Sequence, residues 1–201
     1  MKLTRAVVVG LVMMVALLPM MAKADLLQLT GTSGESAGGE SIGPYAVTVN
    51  GVTTLVACDD LYIGIPMGHT WEADRLTWAD LPAQERPLYG VAYWLVDNIL
   101  GHPGPHADAQ WALWGLFLPA APLPGGAAGE LAWATGAYVA QPGYEGYQEL
   151  VVWRPTPRGE SQEMLGLVAV DTPEPATLAY AGLGLAMLVA ARGMRSRERV
   201  A

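Results

Sequence analysis

Cys58 is the one cysteine in this chain, and a thiol with no second cysteine cannot close an internal disulfide. Outside the reducing cytoplasm a free thiol is also open to oxidation. Four readings stand for it: an inert buried thiol, an intermolecular disulfide, a catalytic thiolate, or reaction with a side-chain amide. Asp59 and Asp60 follow it directly, and two ionised carboxylates nearby would raise the thiol pKa. Other reactive residue types are less ordered. His102 and His106 are separated by Pro-Gly-Pro, which interrupts the spacing that puts two imidazoles on one helix face. That leaves a loop metal pair or ordinary loop polarity for them, and His69 stands apart. Asp59, Asp60, Glu72, Asp74 and Asp80 lack the alternating oxygen-ligand pattern of a calcium loop. Ser161 has no nucleophile-elbow glycines, and no glycine loop of phosphate-cradling type occurs. Paired carboxylates exist by number alone, so a secreted carbohydrate-active hydrolase is the most distant reading. The chain is read as a non-enzyme with no catalytic residue, metal or cofactor assigned.

A glutamine gives the fourth reading a partner. Ala109-Gln-Trp-Ala-Leu-Trp114, followed by Gly115-Leu-Phe117, resembles the Gln-x-Ala-x-Trp region of bacterial thioester domains. Val56-Ala-Cys-Asp-Asp60 is similar to their cysteine-bearing strand, and the order, cysteine before glutamine helix, is theirs too. The resemblance spans residues 44–117. It implies an internal thioester between Cys58 and Gln110, formed with loss of ammonia, that acylates an amine or hydroxyl on a partner surface. Trp111 and Trp114 would shield that bond from water, or simply pack the core. The family's hydroxyl residue before the glutamine is replaced here by Ala109.

The elements that must position these residues are partly readable. Tyr45–Val49 and Val52–Ala57 are β-prone runs flanking Asn50-Gly51, a pair suited to a tight hairpin turn, and the second run delivers Cys58. Leu61–Ile65 and Trp71–Leu76 read as further strands. Helices are predicted over Pro87–Leu100, with Gly101 as the stop, and over Pro105–Phe117. Residues 119–129 read as an Ala/Pro/Gly-rich loop, and the stretch to Val170 as short strands between turns. Tyr138, Tyr144 and Tyr147 are either a carbohydrate-stacking platform or core packing. Residues 25–43, rich in Gly and Ser after a brief apolar start, read as a flexible lead-in. The fold expected for residues 44–171 is mainly β with two helices inserted, a single compact exported domain.

The ends argue for a route. Lys2 and Arg5 precede an apolar segment and Ala22-Lys23-Ala24, the pattern of a signal peptide over residues 1–24 cut by signal peptidase. Between Asp25 and Asp171, 17 acidic residues face four arginines, a formal charge of −13 within a chain of −8. That field disfavours nucleic acid. Residues 172–201 join Pro173-Glu174-Pro175, an apolar run over 176–191, and Arg192, Arg195, Arg197 and Arg199. The run is near the short limit for a transmembrane helix, and a cationic end favours the cytoplasmic side. A buried C-terminal helix and a permanent anchor are the alternatives. The three-part order resembles the PEP-CTERM sorting signal, which implies processing by an exosortase-like membrane enzyme. The resulting expectation is a structural or interaction protein of the cell envelope or extracellular matrix, meeting a polysaccharide or a surface protein. A covalent surface adhesin carrying the Cys58–Gln110 thioester is the alternative.

Overall fold

The computed structural model describes residues 24–168. Its strongest local signal is the hairpin of β4 (Tyr45–Val49) and β5 (Val52–Cys58), paired antiparallel with Val49 opposite Val52. Asn50 and Gly51 turn the chain with φ of 50° and 87°, conformations that Asn and Gly tolerate best. Four further strands join them: β1 (Asp25–Thr32), β6 (Thr70–Thr77), β7 (Leu150–Pro155) and β8 (Met164–Leu167). The order β1-β4-β5-β8-β7-β6 closes into a six-stranded barrel, leaving no open edge. Alternation sets its inside: Leu27 and Leu29 of β1 and Trp71 and Ala73 of β6 are buried, while their neighbours face out.

Residues 25–43 are therefore not a flexible lead-in. Asp25–Thr32 is a barrel strand hydrogen-bonded to both β4 and β6, and β2 (Ser36–Ala37) with β3 (Glu40–Ser41) forms a small hairpin beyond it. Apolar residues at every second position, Leu27 and Leu29, outweigh the Gly/Ser composition that follows. Asp25 is itself held, accepting hydrogen bonds from Asn50 Nδ2 at 2.7 Å and Trp153 Nε1 at 2.9 Å. The strand expected over Leu61–Ile65 is loop.

Between β6 and β7 the chain inserts three helices, α1 (Arg86–Gly101), α2 (Ala107–Phe117) and α3 (Ala127–Ala140). The expected fold, mainly β with two helices, is corrected to a closed barrel carrying a three-helix layer. The missed helix, α3, lies where the sequence read as loop and strand. Its buried residues are Ala127 and Ala134, two turns apart, so it packs through small residues and shows no broad apolar stripe. Tyr138 of α3 covers Gly90 of α1 so closely that a Cβ there would collide with its ring. Asn98 Nδ2 of α1 donates to Glu130 Oε2 of α3 at 3.1 Å.

α2 is the middle helix, buried along Ala109–Gly115, and it packs against α1, α3 and β5. The three tyrosines left between a stacking platform and core packing separate by burial. Tyr147 is 1% exposed, stacks on Trp78 with centroids 4.9 Å apart, and donates from its hydroxyl to the Gln141 carbonyl. Tyr138 is half-buried, and only Tyr144 of the three is exposed.

The expected transmembrane sorting helix is corrected too. Among the described residues no helix is long and apolar enough to cross a membrane, and the segment 176–191 assigned to it lies outside them. The expectation of an exosortase substrate anchored through that helix is not carried forward. The signal segment before Ala24, the Pro173–Pro175 motif and the arginines from Arg192 to Arg199 also lie outside the described residues.

Candidate functional site

Cys58 is the last residue of β5 and Gln110 sits in the first half of α2, 52 positions later, and the fold brings them together. Gln110 Nε2 donates to the backbone carbonyl of Cys58 at 2.7 Å. That contact fixes the amide's orientation and leaves Gln110 Oε1 buried with no partner. Gln110 is fully buried and Cys58 is 1% exposed. A glutamine so enclosed is unusual, because half of its amide goes unsatisfied at a cost of about 1–3 kcal/mol.

The thiol faces Tyr45 and Trp114, and Cys58 Sγ lies 3.7 Å from the Asp60 carbonyl. Burial pushes the thiol pKa up to about 12, with Asp59 and Asp60 adding to the rise, although Trp114 and Tyr45 favour the thiolate. The adjacent carboxylates therefore act in the expected direction, but desolvation is the larger cause. At neutral pH the group is a thiol, not a thiolate.

The segment once read as a lead-in closes this site. A Cβ on Gly43 would stand 2.9 Å from Gln110 Oε1, so the chain after the β2–β3 hairpin passes directly over the amide. At the turn of that hairpin Gly38, with φ of 64°, lies against Trp111, where a Cβ would come within 2.9 Å of Cζ2. Ser33 Oγ donates to the Ile42 carbonyl at 2.7 Å, and Tyr45 donates its hydroxyl to the Ser41 carbonyl. Glu35 Oε2 accepts from the backbone N–H of His106 at 3.1 Å, tying the hairpin to the start of α2. Trp111 and Trp114 meet edge to face at 5.0 Å and are 7% and 2% exposed. Both lie on the amide's own helix and pack into the core.

The other sequence candidates are not gathered. His102 and His106 share the short loop between α1 and α2 while His69 precedes β6, and among the described residues no group of three or more His, Cys, Asp or Glu is placed to hold a metal ion. What the sequence reading missed is a charged cluster next door. Arg154 Nε donates to Glu163 Oε2 at 2.7 Å, and its Nη2 donates to Glu85 Oε2 at 2.9 Å and to Tyr89 Oη at 2.6 Å. Tyr89 donates in turn to Glu163 Oε1. The backbone N–H of Glu163 donates to Asp60 Oδ2 at 3.1 Å, which anchors the chain just past Cys58. One signal could have found this cluster: Arg154 is a lone cation in the otherwise apolar run Leu150-Val-Val-Trp153, where a charge needs a buried partner. No family model, no curated protein and no solved structure matches this chain.

Proposed function

We propose that the barrel-and-helix domain is a single-use covalent binding module, in which Cys58 and Gln110 close an internal thioester that acylates an amine or hydroxyl on a partner surface. In the first step the Cys58 S–H and the Gln110 Cδ–Nε2 bonds break. The Sγ–Cδ bond forms, and the thiol proton leaves with Nε2 as ammonia. In the second, a partner N–H or O–H adds to Cδ, the Cδ–Sγ bond breaks, and the displaced proton returns to sulfur.

The observation that carries this reading is the meeting of the sole cysteine with a fully buried glutamine whose amide touches the cysteine's own carbonyl. An unactivated amide resists a thiol in solution, but fixed placement can supply on the order of 7–11 kcal/mol toward such a barrier. The elevated thiol pKa argues against a catalytic thiolate. It does not oppose this exchange, because the departing ammonia takes the proton. Burial of Cys58 likewise argues against an intermolecular disulfide. The enclosing wall of Gly43, Trp111 and Trp114 would keep water from the finished bond.

For its setting we propose export to the cell envelope or extracellular matrix, on the strength of the signal-like start and the acidic domain. Signal peptidase would be the processing partner, and a polysaccharide or surface protein the acylated one. Intact-mass measurement of natively purified protein tests the bond. The mass should fall short of the sequence mass by one ammonia, with no thiol titrating until the protein is treated with a strong nucleophile. Cys58→Ala and Gln110→Ala should each remove the deficit. Full mass with one titratable thiol in fresh protein would reject the module and leave a structural protein with an inert core cysteine.

A further inference from the structure

Gln110 and Trp114 stand four positions apart on α2, so their side chains leave the same face of the helix. From that face Gln110 reaches the Cys58 carbonyl, and Trp114 faces the Cys58 thiol. Trp114 is 2% exposed, and its Nε1–H is buried with no oxygen or nitrogen to accept it. The ring is held edge to face against Trp111, with centroids 5.0 Å apart. A buried donor left this way is rare, because it forfeits the hydrogen bond that water would give it.

The other polar groups shown around the sulfur do not supply it with a hydrogen. The Asp60 carbonyl, 3.7 Å from Sγ, can only accept. Tyr45 also faces the thiol, but its one hydroxyl hydrogen goes to the Ser41 carbonyl. The indole N–H is therefore the donor left for the sulfur.

A donor there matters most when the sulfur carries charge. The site is dry, and burial pushes the thiol pKa up to about 12, which makes a bare thiolate a poor leaving group. A thioester sulfur is a weak acceptor and a thiolate a strong one. The N–H contact therefore strengthens as the Cδ–Sγ bond breaks, which is the condition for lowering a barrier.

We propose that Trp114 is a catalytic residue of the acyl-transfer step, its Nε1–H donating to Cys58 Sγ as the partner's nitrogen or oxygen displaces the sulfur. The role rests on the thioester reading. The electron pair of the Cδ–Sγ bond passes to sulfur, where the indole N–H holds it while keeping its own proton. The proton displaced from the partner then reaches the sulfur and restores the thiol.

The test compares wild-type protein with Trp114→Phe and with benzothienylalanine in place of Trp114, an isostere that keeps the bicyclic shape and replaces the N–H by sulfur. Intact mass gives the ammonia deficit, and reaction with methylamine is then followed by mass gain and thiol release. Both variants should carry the deficit yet react more slowly, by about ten- to a hundredfold, as befits a hydrogen bond to a charged acceptor. The Trp114 indole N–H resonance, assigned by its loss in Trp114→Phe, should also move upfield in Cys58→Ala. No movement would overturn the contact itself. Slowing in Trp114→Phe with an unslowed isostere would reduce Trp114 to packing and overturn the role, as would equal rates in all three proteins. A folded isostere without the deficit would place the N–H in closing the bond and overturn its part in acyl transfer. In each of these cases a deficit in wild-type protein leaves the thioester standing, whereas full mass in wild-type protein removes the thioester and this role together.

Discussion

Cys58 and Asp59 are neighbours in sequence, yet they serve two opposite environments. Around Cys58 the protein is dry and nearly uncharged: Trp114 and Tyr45 face the thiol, Gln110 holds the Cys58 carbonyl, and the backbone of Gly43 passes over Gln110. Around Asp59 it is equally buried but charged, with Glu163 and Asp60 facing its carboxyl and Arg154 clamping Glu163 and Glu85. The strand end positions both. The lesson is that one strand end can turn a thiol into an apolar enclosure and the next side chain into a charged cluster, because the two side chains meet different walls.

The largest effect expected is all-or-none and belongs to the enclosed side. Gln110→Ala or Cys58→Ala should abolish the ammonia deficit completely, read by intact mass, while the Arg154 cluster stays folded. Next comes the charged side. Arg154→Met keeps the stem but leaves Glu163 and Glu85 without their cation, and should cost about 3–5 kcal/mol in urea unfolding, as breaking a buried pair does. If this variant retains the ammonia deficit, the two environments are energetically separable; loss of the deficit in folded protein would mean that the charged cluster also places Cys58.

A smaller effect should come from the covering segment. Gly43→Ala puts a methyl 2.9 Å from Gln110 Oε1, and overpacking of this kind costs about 1–3 kcal/mol. It should also lower the fraction of protein lacking ammonia, because the displaced amide no longer meets the thiol. An unchanged fraction would show that the segment only packs.

The smallest effect is a pH dependence. Burial raises the Asp59 carboxyl well above the usual range, reinforced by Glu163 and Asp60. The folded protein thus holds that proton more tightly than the unfolded chain. Its stabilising contribution is complete below about pH 4 and is lost as pH rises through the folded value. Asp59→Asn should therefore flatten the decline in urea midpoint above pH 4 and leave the mutant more stable than wild type at neutral pH. An identical slope in both proteins would place the titration elsewhere.

Some of this was readable in the chain itself. Asn50-Gly51 between two β-prone runs announced β4 and β5, and apolar spacing announced α1 and α2, because hairpin turns and amphipathic helices are local properties. α3 was hidden because it packs through Ala127 and Ala134, which carry little apolar signal, and because the Ala/Pro/Gly-rich composition of residues 119–129 argued for a loop. β1 was hidden because its two inward leucines were followed by a Gly/Ser run that dominated the composition. Gln110 was found through its resemblance and the charged cluster around Arg154 not at all. Asp59, the Glu85–Tyr89 turn of α1, Arg154 and Glu163 come from four separate stretches, and no one spacing links them all.

The sequence by itself determined the inventory: one thiol, an acidic middle, a hairpin turn that only a few residue pairs can make, and an order of cysteine before glutamine. Turn chemistry and charge depend on residues a few positions apart or on composition, so they survive without a fold. Only the tertiary structure decided that Gln110 rests on Cys58, that residues 33–44 close over them, and that Asp59 is buried against Glu163, the carboxylate Arg154 holds. Those facts depend on barrel closure and on helices inserted between β6 and β7, where burial and proximity are set by the whole chain at once.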